Sequence, residues 1–302
     1  MSDTASLSEP VIQVRDLHQS YGWFHPKPVL KGIDLTVPRG IVMGLVGTNG
    51  EGKSTFIKCL LGLLRASSGQ MRVFGEDPWN LSAAAKARIG YVPQEPLLLP
   101  WLTVSQSMFY TAAFYPTWDH AYAEELASQW GLPRNERVGS LSLGQKQKVS
   151  IVQALGHRPE LLVLDEPVAS LDPLARRKFL ESLVKAAEDG AHTVLFSTHI
   201  TSDLERVASH LAILKGGRIL FCDELDVLKE RVKRLRISAG QDLPASFAVG
   251  GALRTEVRGR NALVAVSAVN EGLLDDLRTR FDVEISVEDL NLEEIFVEMH
   301  DA

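Results

Sequence analysis

The chain has 302 residues, 45% hydrophobic and 23% charged, with a formal net charge of −6 and a mean hydropathy of +0.00. That composition describes an ordinary globular protein with a proper core and excludes a disordered or collagen-like chain. The acidic balance argues against a nucleic-acid binder, which carries a basic excess, and no apolar run approaches the roughly 20 residues of a membrane-spanning helix.

Taken in chain order, Met1–Pro10 is polar and lacks the basic and apolar regions of a secretory leader, which implies a cytoplasmic address. Residues 11–14 and 33–37 alternate apolar and polar, predicting strands covered on one face. Ile41–Val46 is a short apolar run entering a glycine, as in a buried strand. Lys53–Leu64 carries Phe56, Leu60 and Leu64 at helical spacing and meets a stop at Ser67–Gly69. Further strand runs are Ile89–Val92, Leu161–Leu164, Thr193–Phe196 and Leu211–Leu214, most of them separated by helical stretches. This alternation predicts an α/β fold, a mostly parallel sheet wrapped by helices.

Between Thr103 and Val138 the strand signal disappears, and helices are predicted over Val104–Phe114 and His120–Trp130 as an insert in the α/β domain. From Lys233 the pattern changes again. Strands are expected at Arg234–Ser238, Leu253–Val257, Ala262–Val266 and Val283–Val287, with a helix around Leu273–Arg280 and an amphipathic helix from Leu292. The expected organisation is a domain over 11–232, with a helical insert at about 103–150, and a small C-terminal α+β appendage over 233–302. Cys59 and Cys222 lack metal-ligand spacing and are expected to be small buried residues.

The chemistry begins with Gly47-Thr48-Asn49-Gly50-Glu51-Gly52-Lys53-Ser54, which fits G-x-x-x-x-G-K-[ST] and continues into Thr55. Glycines let backbone amides approach phosphate oxygens, Lys53 would reach the β- and γ-phosphates, and the Ser54 hydroxyl would bind Mg²⁺. The motif follows a predicted buried strand and opens a predicted helix, whose positive end adds to the cradle. Farther on, Leu161-Leu162-Val163-Leu164-Asp165-Glu166 is an apolar strand ending in two carboxylates. Asp165 would hold Mg²⁺ through its water shell, and Glu166 would be the general base for the attacking water.

Phosphate loops serve many functions, so the class must come from other residues. Leu141-Ser142-Leu143-Gly144-Gln145, with the polar tail Lys146-Gln147-Lys148, places a capping box at the start of a helix, and a capped helix N-terminus is also an anion site. In order and spacing these motifs resemble the ABC ATPase family over about residues 11–230. The resemblance implies that Tyr21 stacks on adenine, with Trp23 and Phe24 as neighbouring rings that could do the same. It also implies that Gln94 senses Mg²⁺ and the γ-phosphate, that Ser142 and the Gly144 amide contact ATP, and that His199 touches the γ-phosphate. Asp172, in Ser170-Leu171-Asp172, matches the family's D-loop; read alone it is a helix cap before Pro173. Leu143 and Ala169 stand where the family commonly has glycine, and the loop Gly22–Pro28 looks longer than usual.

The resemblance further implies an ATPase, using ATP and Mg²⁺, that powers transport through a separate integral-membrane permease. With one cassette in the chain, a second nucleotide-binding subunit is needed to complete each site, most simply as a homodimer. The subunit would sit peripherally on the cytoplasmic face of the membrane. The lysine-rich signature tail and the ending Asn291-Leu292-Glu293-Glu294-Ile295-Phe296 resemble exporter-type ATPases. The alternative is a soluble ABC ATPase acting on nucleic acid or the ribosome; the single cassette and the absence of heptad runs or basic stretches disfavour it. Finally, Glu95–Leu102 is apolar between prolines, so it either receives a permease helix or packs the insert onto the sheet.

Overall fold

The computed structural model describes residues 9–22, 24–188, 190, 192–244 and 246–300. Trp23 and most of the Met1–Pro10 segment read above lie outside the described residues. The chain divides into two compact units at Cys222/Asp223, whereas the sequence pattern places the boundary at 232/233.

In the first unit the elements run β1 (Ile12–Tyr21), β2 (Lys27–Val37), β3 (Val42–Val46), α1 (Lys53–Leu60), β4 (Ser68–Val73), α2 (Ala83–Ala87) and β5 (Ile89–Val92). There follow α3 (Val104–Ala112), α4 (His120–Gln129), α5 (Leu143–Leu155), β6 (Leu161–Asp165) and α6 (Pro173–Glu188). The unit ends with β7 (Thr193–Thr198), α7 (Thr201–Val207), β8 (His210–Lys215) and β9 (Arg218–Glu224), the last running into the division.

Six strands form one sheet in the order β5-β6-β7-β3-β8-β9, and the pairs from β5 through β8 are parallel. Every residue of β3, β6 and β7 is buried, as a parallel sheet covered on both faces requires. A second, antiparallel sheet in the order β2-β1-β4 was not expected from the sequence. Its strands outrun their predicted lengths because β1 breaks register between Val14 and Leu17 and again at Gln19/Ser20, which destroys the period-two pattern. β4 buries only Met71 and Val73 and opens with Ser-Gly, so it reads as a helix stop. The core between the two sheets and α1 contains Ile12, Ile33, Met43, Leu45, Phe56 and Leu60.

Two expectations need correction. Helix α1 ends at Leu60, not Leu64, because Gly62 takes φ +66° and its amide bonds back to the Cys59 carbonyl. A Cβ at Gly62 would lie 2.1 Å from the Pro78 carbonyl oxygen, so only glycine fits this turn. Of the cysteines, Cys59 is buried, and burial pushes its thiol up to about 11, but Cys222 is exposed on β9.

Helices α3, α4 and α5 make up the predicted insert, with α5 packed on both α3 and α4 and on strand β5. Gln153 of α5 donates to the Ser107 hydroxyl of α3 at 2.8 Å. Buried His157 stacks on Tyr115 at 3.9 Å and bonds the Ile89 carbonyl at 3.1 Å; burial lowers its pKa and favours the neutral ring.

The second unit comprises α8 (Leu225–Arg231), β10 (Lys233–Ala239), β11 (Ala252–Arg258), β12 (Asn261–Val266), α9 (Glu271–Phe281), β13 (Val283–Asp289) and α10 (Leu292–His300). Its four strands form an antiparallel sheet in the order β11-β12-β10-β13. Leu235, Ile237 and Val264 from the strands pack with Leu274 and Leu277 of α9. Arg234 on β10 pairs with Glu294 and Glu298 of α10 at 3.0 and 2.9 Å.

Candidate active site

Strand register brings the chemistry together. Across the parallel sheet Asp165 pairs with Ser197, Ser197 with Leu45, and Thr198 with Val46. The C-terminal ends of β6, β7 and β3 therefore lie side by side, delivering Asp165-Glu166, Thr198-His199 and Val46-Gly47 to one edge. Ligands of open α/β sheets bind at that edge.

The loop from Gly47 to Gly52 turns through positive φ at Gly50 (+89°) and Gly52 (+108°) before α1 begins. Lys53 is buried, and its ammonium donates to the Gly47 and Thr48 carbonyls at 2.8 and 3.3 Å, so it rivets the loop from inside. The loop thus has the form of an anion cradle: glycine backbone over a helix N-terminus, with a cation beneath. Asn49 and Gly50 are exposed at its crest; Thr48, Ser54 and Thr55 are half-buried.

Sequence reasoning missed one feature here. The Glu51 carboxylate accepts the Thr48 hydroxyl at 3.2 Å and also the Gly216 amide from the turn after β8. An acid in this loop signals a tether when the loop must be pinned to a neighbouring turn, but its partner is 165 residues away in sequence.

Glu166 sits at φ +50°, a left-handed conformation uncommon outside glycine. Its amide bonds the Ser197 carbonyl at 3.0 Å, one carboxylate oxygen accepts from His199 Nδ1 at 2.5 Å, and the other lies 3.5 Å from Lys53 Nζ. Lys53 and Glu166 are 6% and 5% exposed, and His199 is 45% exposed. The acid is therefore fixed on three sides at a strained backbone position, as functional residues often are. Next to it, buried Asp165 accepts the Ser197 hydroxyl at 2.8 Å, which leaves acceptor capacity on its second oxygen. Burial, with the Asp165 carboxylate nearby, pushes the Tyr91 hydroxyl on β5 up to about 12, so it stays neutral.

Residues Ser142, Gly144 and Asp172 form a second group. Ser142 and Gln145 cap α5 reciprocally, side chain to amide in both directions, at 3.2 and 2.9 Å. A Cβ on Gly144 would lie 2.8 Å from the Ser170 carbonyl oxygen, so glycine allows the start of α5 to abut the Ser170–Asp172 turn. Asp172 accepts the Ala175 amide, which holds its carboxyl below the usual range, and Lys148 reaches it at 3.4 Å. Leu143 is exposed beside Ser142. Gln94 lies exposed just beyond β5, and Tyr21, half-exposed, places its hydroxyl 3.3 Å from that of Thr55.

A cradle for phosphate backed by a buried lysine, and a fixed carboxylate beside it, define a P-loop nucleotide hydrolase. The ABC transporter family profile matches residues 30–169. The chain is 37% identical over 234 residues to the aliphatic sulfonates import ATP-binding protein SsuB of Corynebacterium glutamicum, covering 76% of this chain and 90% of that one. It is 29% identical to the Nod factor export ATP-binding protein I of Cupriavidus metallidurans over 307 residues, 96% of this chain and 97% of that one. A solved ATP-binding subunit of an ABC transporter superposes with a TM-score of 0.65 at 32% identity, covering 72% of this chain and 92% of that one. The chain belongs to the family of ABC transporter ATP-binding proteins, and it binds and hydrolyses ATP.

Proposed function

We propose that this subunit drives export of a substrate through a separate permease, by hydrolysing ATP at sites shared between two copies. The observation that carries the reading is the convergence of Lys53, Asp165, Glu166 and His199 at one sheet edge, while Ser142 and Gly144 stand at a separate helix start. One chain thus supplies a phosphate cradle with its acid, and also an anion-binding helix end suited to a partner's nucleotide. No helix among the described residues is long and apolar enough to cross a membrane, and in the proposed reading a separate permease carries the substrate. Export is favoured over import by the likeness to the Nod factor export protein, which extends over both units of this chain. The lysine-rich run after Ser142 and the Asn291–Phe296 ending are in keeping with it.

In the proposed mechanism the backbone of Gly47 to Gly52 and the Lys53 ammonium hold the phosphates, and Tyr21 supports the base. Glu166 accepts the proton of the attacking water, and His199, hydrogen-bonded to it, fixes its rotamer. Ser54, Gln94 and Asp165 offer a hydroxyl, an amide carbonyl and a carboxylate, the oxygen set that suits Mg²⁺. Bound there, the ion would neutralise charge developing on the phosphates. Opening and closing of the two copies would swing the permease between its two faces.

Docking of the permease is proposed at the loop after Gln94. Leu97 and Trp101 are 84% and 64% exposed, so these two do not pack the insert onto the sheet; Leu98 and Leu99 are half-buried. Phe109, Tyr110 and Phe114, along and just beyond α3, are exposed as well. Patches of this kind mark interaction sites, and a truncated tryptophan anchor costs about 2 kcal/mol or more of binding. Trp101→Ala is therefore expected to melt within a few degrees of the parent and bind ATP, yet to fail to co-purify with its membrane subunit. Retained co-purification, or a large fall in melting temperature, would remove this surface from the role. Leu98→Ser, half-buried, should show a mixture of both effects.

A further inference from the structure

Gln147 is fully buried on α5, one turn beyond Ser142 and Gly144. Its amide nitrogen donates to the Pro93 carbonyl at 3.3 Å, directly before Gln94. Its amide oxygen is buried with no partner among the described residues. Turning the amide over would set oxygen against oxygen, so the Pro93 carbonyl fixes which end is the donor. A half-satisfied buried amide is an expensive choice for mere filling, because an unpaired acceptor loses its hydration, and leucine or methionine would fill the space without that loss. The amide is thus better explained by what its satisfied end holds. Farther along the helix, Gln153 ties α5 to α3 through Ser107. The loop bearing Gln94 is thereby tethered at its start by Gln147, and the helix that follows it, α3, by Gln153, both to the helix whose N-terminus carries Ser142.

We propose that Gln147 is a positioning residue for ATP hydrolysis: it holds the Gln94 loop to α5, so that the loop and the Ser142 helix end move as one piece. The unpaired oxygen gives the side chain a free acceptor for a second arrangement of that joint. The inference rests on the proposed roles of Gln94 and Ser142 at the nucleotide.

The test is Gln147→Met in the full chain, with steady-state kinetics, melting and amide hydrogen exchange. The melting temperature should stay within a few degrees, since the orphaned oxygen is removed along with the tether. KM for ATP should change less than about twofold, while kcat falls by about tenfold or more, the scale of effect that misplacing a catalytic group produces. Exchange in residues 94–99 should quicken while the sheet strands are unchanged. An unchanged kcat, or a loss of activity explained by the unfolded fraction, would overturn the proposal. Should the variant fail to fold, the wild-type chain serves: a non-hydrolysable ATP analogue should slow exchange in 94–99 and 143–148 together, at the same nucleotide concentration. Slowing in one segment alone would contradict the link. Loss of catalysis in Glu166→Gln with an unchanged kcat in Gln147→Met would sink this inference and leave the proposed mechanism standing.

Discussion

Glu166→Gln is expected to lower ATP turnover by about 10²–10⁴-fold, the usual worth of a general base, while leaving ATP binding close to wild type. The substitution is nearly isosteric. A glutamine oxygen can still accept from His199 Nδ1, and the backbone bond from residue 166 to the Ser197 carbonyl does not involve the side chain. What disappears is the capacity to take a proton from water at a point 3.5 Å from the Lys53 ammonium. Lys53 keeps its two carbonyl acceptors at Gly47 and Thr48, so the cradle should keep its shape. Single-turnover hydrolysis and equilibrium nucleotide binding, measured on the same preparation, separate these effects. Near-normal turnover would take the role of base away from Glu166.

Lys53→Ala should do the opposite, losing affinity before it loses chemistry. Hydrogen bonds to charged groups are worth about 1.5–3 kcal/mol, so the affinity for ATP should fall about 10–100-fold. The nucleotide-free protein should suffer as well. Lys53 is the cation facing the buried Glu166 carboxylate and the donor to two loop carbonyls, and removing one member of a buried pair leaves the other uncompensated. A lower melting temperature together with weaker binding is therefore expected, against the nearly unchanged fold of Glu166→Gln. Calorimetric titration with ATP and a thermal melt provide both readings. Wild-type affinity in this variant would contradict the cradle's electrostatics.

How far the sequence speaks depends on how local each signal is. The strands that carry the site were legible because β3, β6 and β7 are buried along their whole length, and the apolar runs at Ile41–Val46, Leu161–Leu164 and Thr193–Phe196 say so directly. The phosphate loop was legible because its glycines answer to a backbone constraint. The antiparallel sheet was not, because bulges in β1 and the polar, edge-lying β4 erase the alternation that marks a strand. Strand β9 is mostly exposed and carries no continuous apolar stripe. Among the site residues, the pairing of Glu166 with Lys53 and His199 and the hold of Ser197 on Asp165 are products of register between distant strands. No spacing in the sequence encodes such contacts. The Glu51 tether to Gly216 and the Gln147 hold on Pro93 are of the same kind.

In the proposed dimer two copies share each ATP, one giving Lys53 and Glu166, the other Ser142 and Gly144. Mixing a Lys53→Ala chain with a Ser142→Arg chain tests it most directly. Each parent carries a lesion in every composite site and should be inactive. In the mixed dimer both lesions fall in one site, and the other is made wholly of intact residues. Heterodimers are verified by differently tagged chains, and ATP hydrolysis is measured as a function of mixing ratio. Activity should appear on mixing and peak near equal proportions. Heterodimers that form and stay as inactive as their parents at every ratio would contradict it.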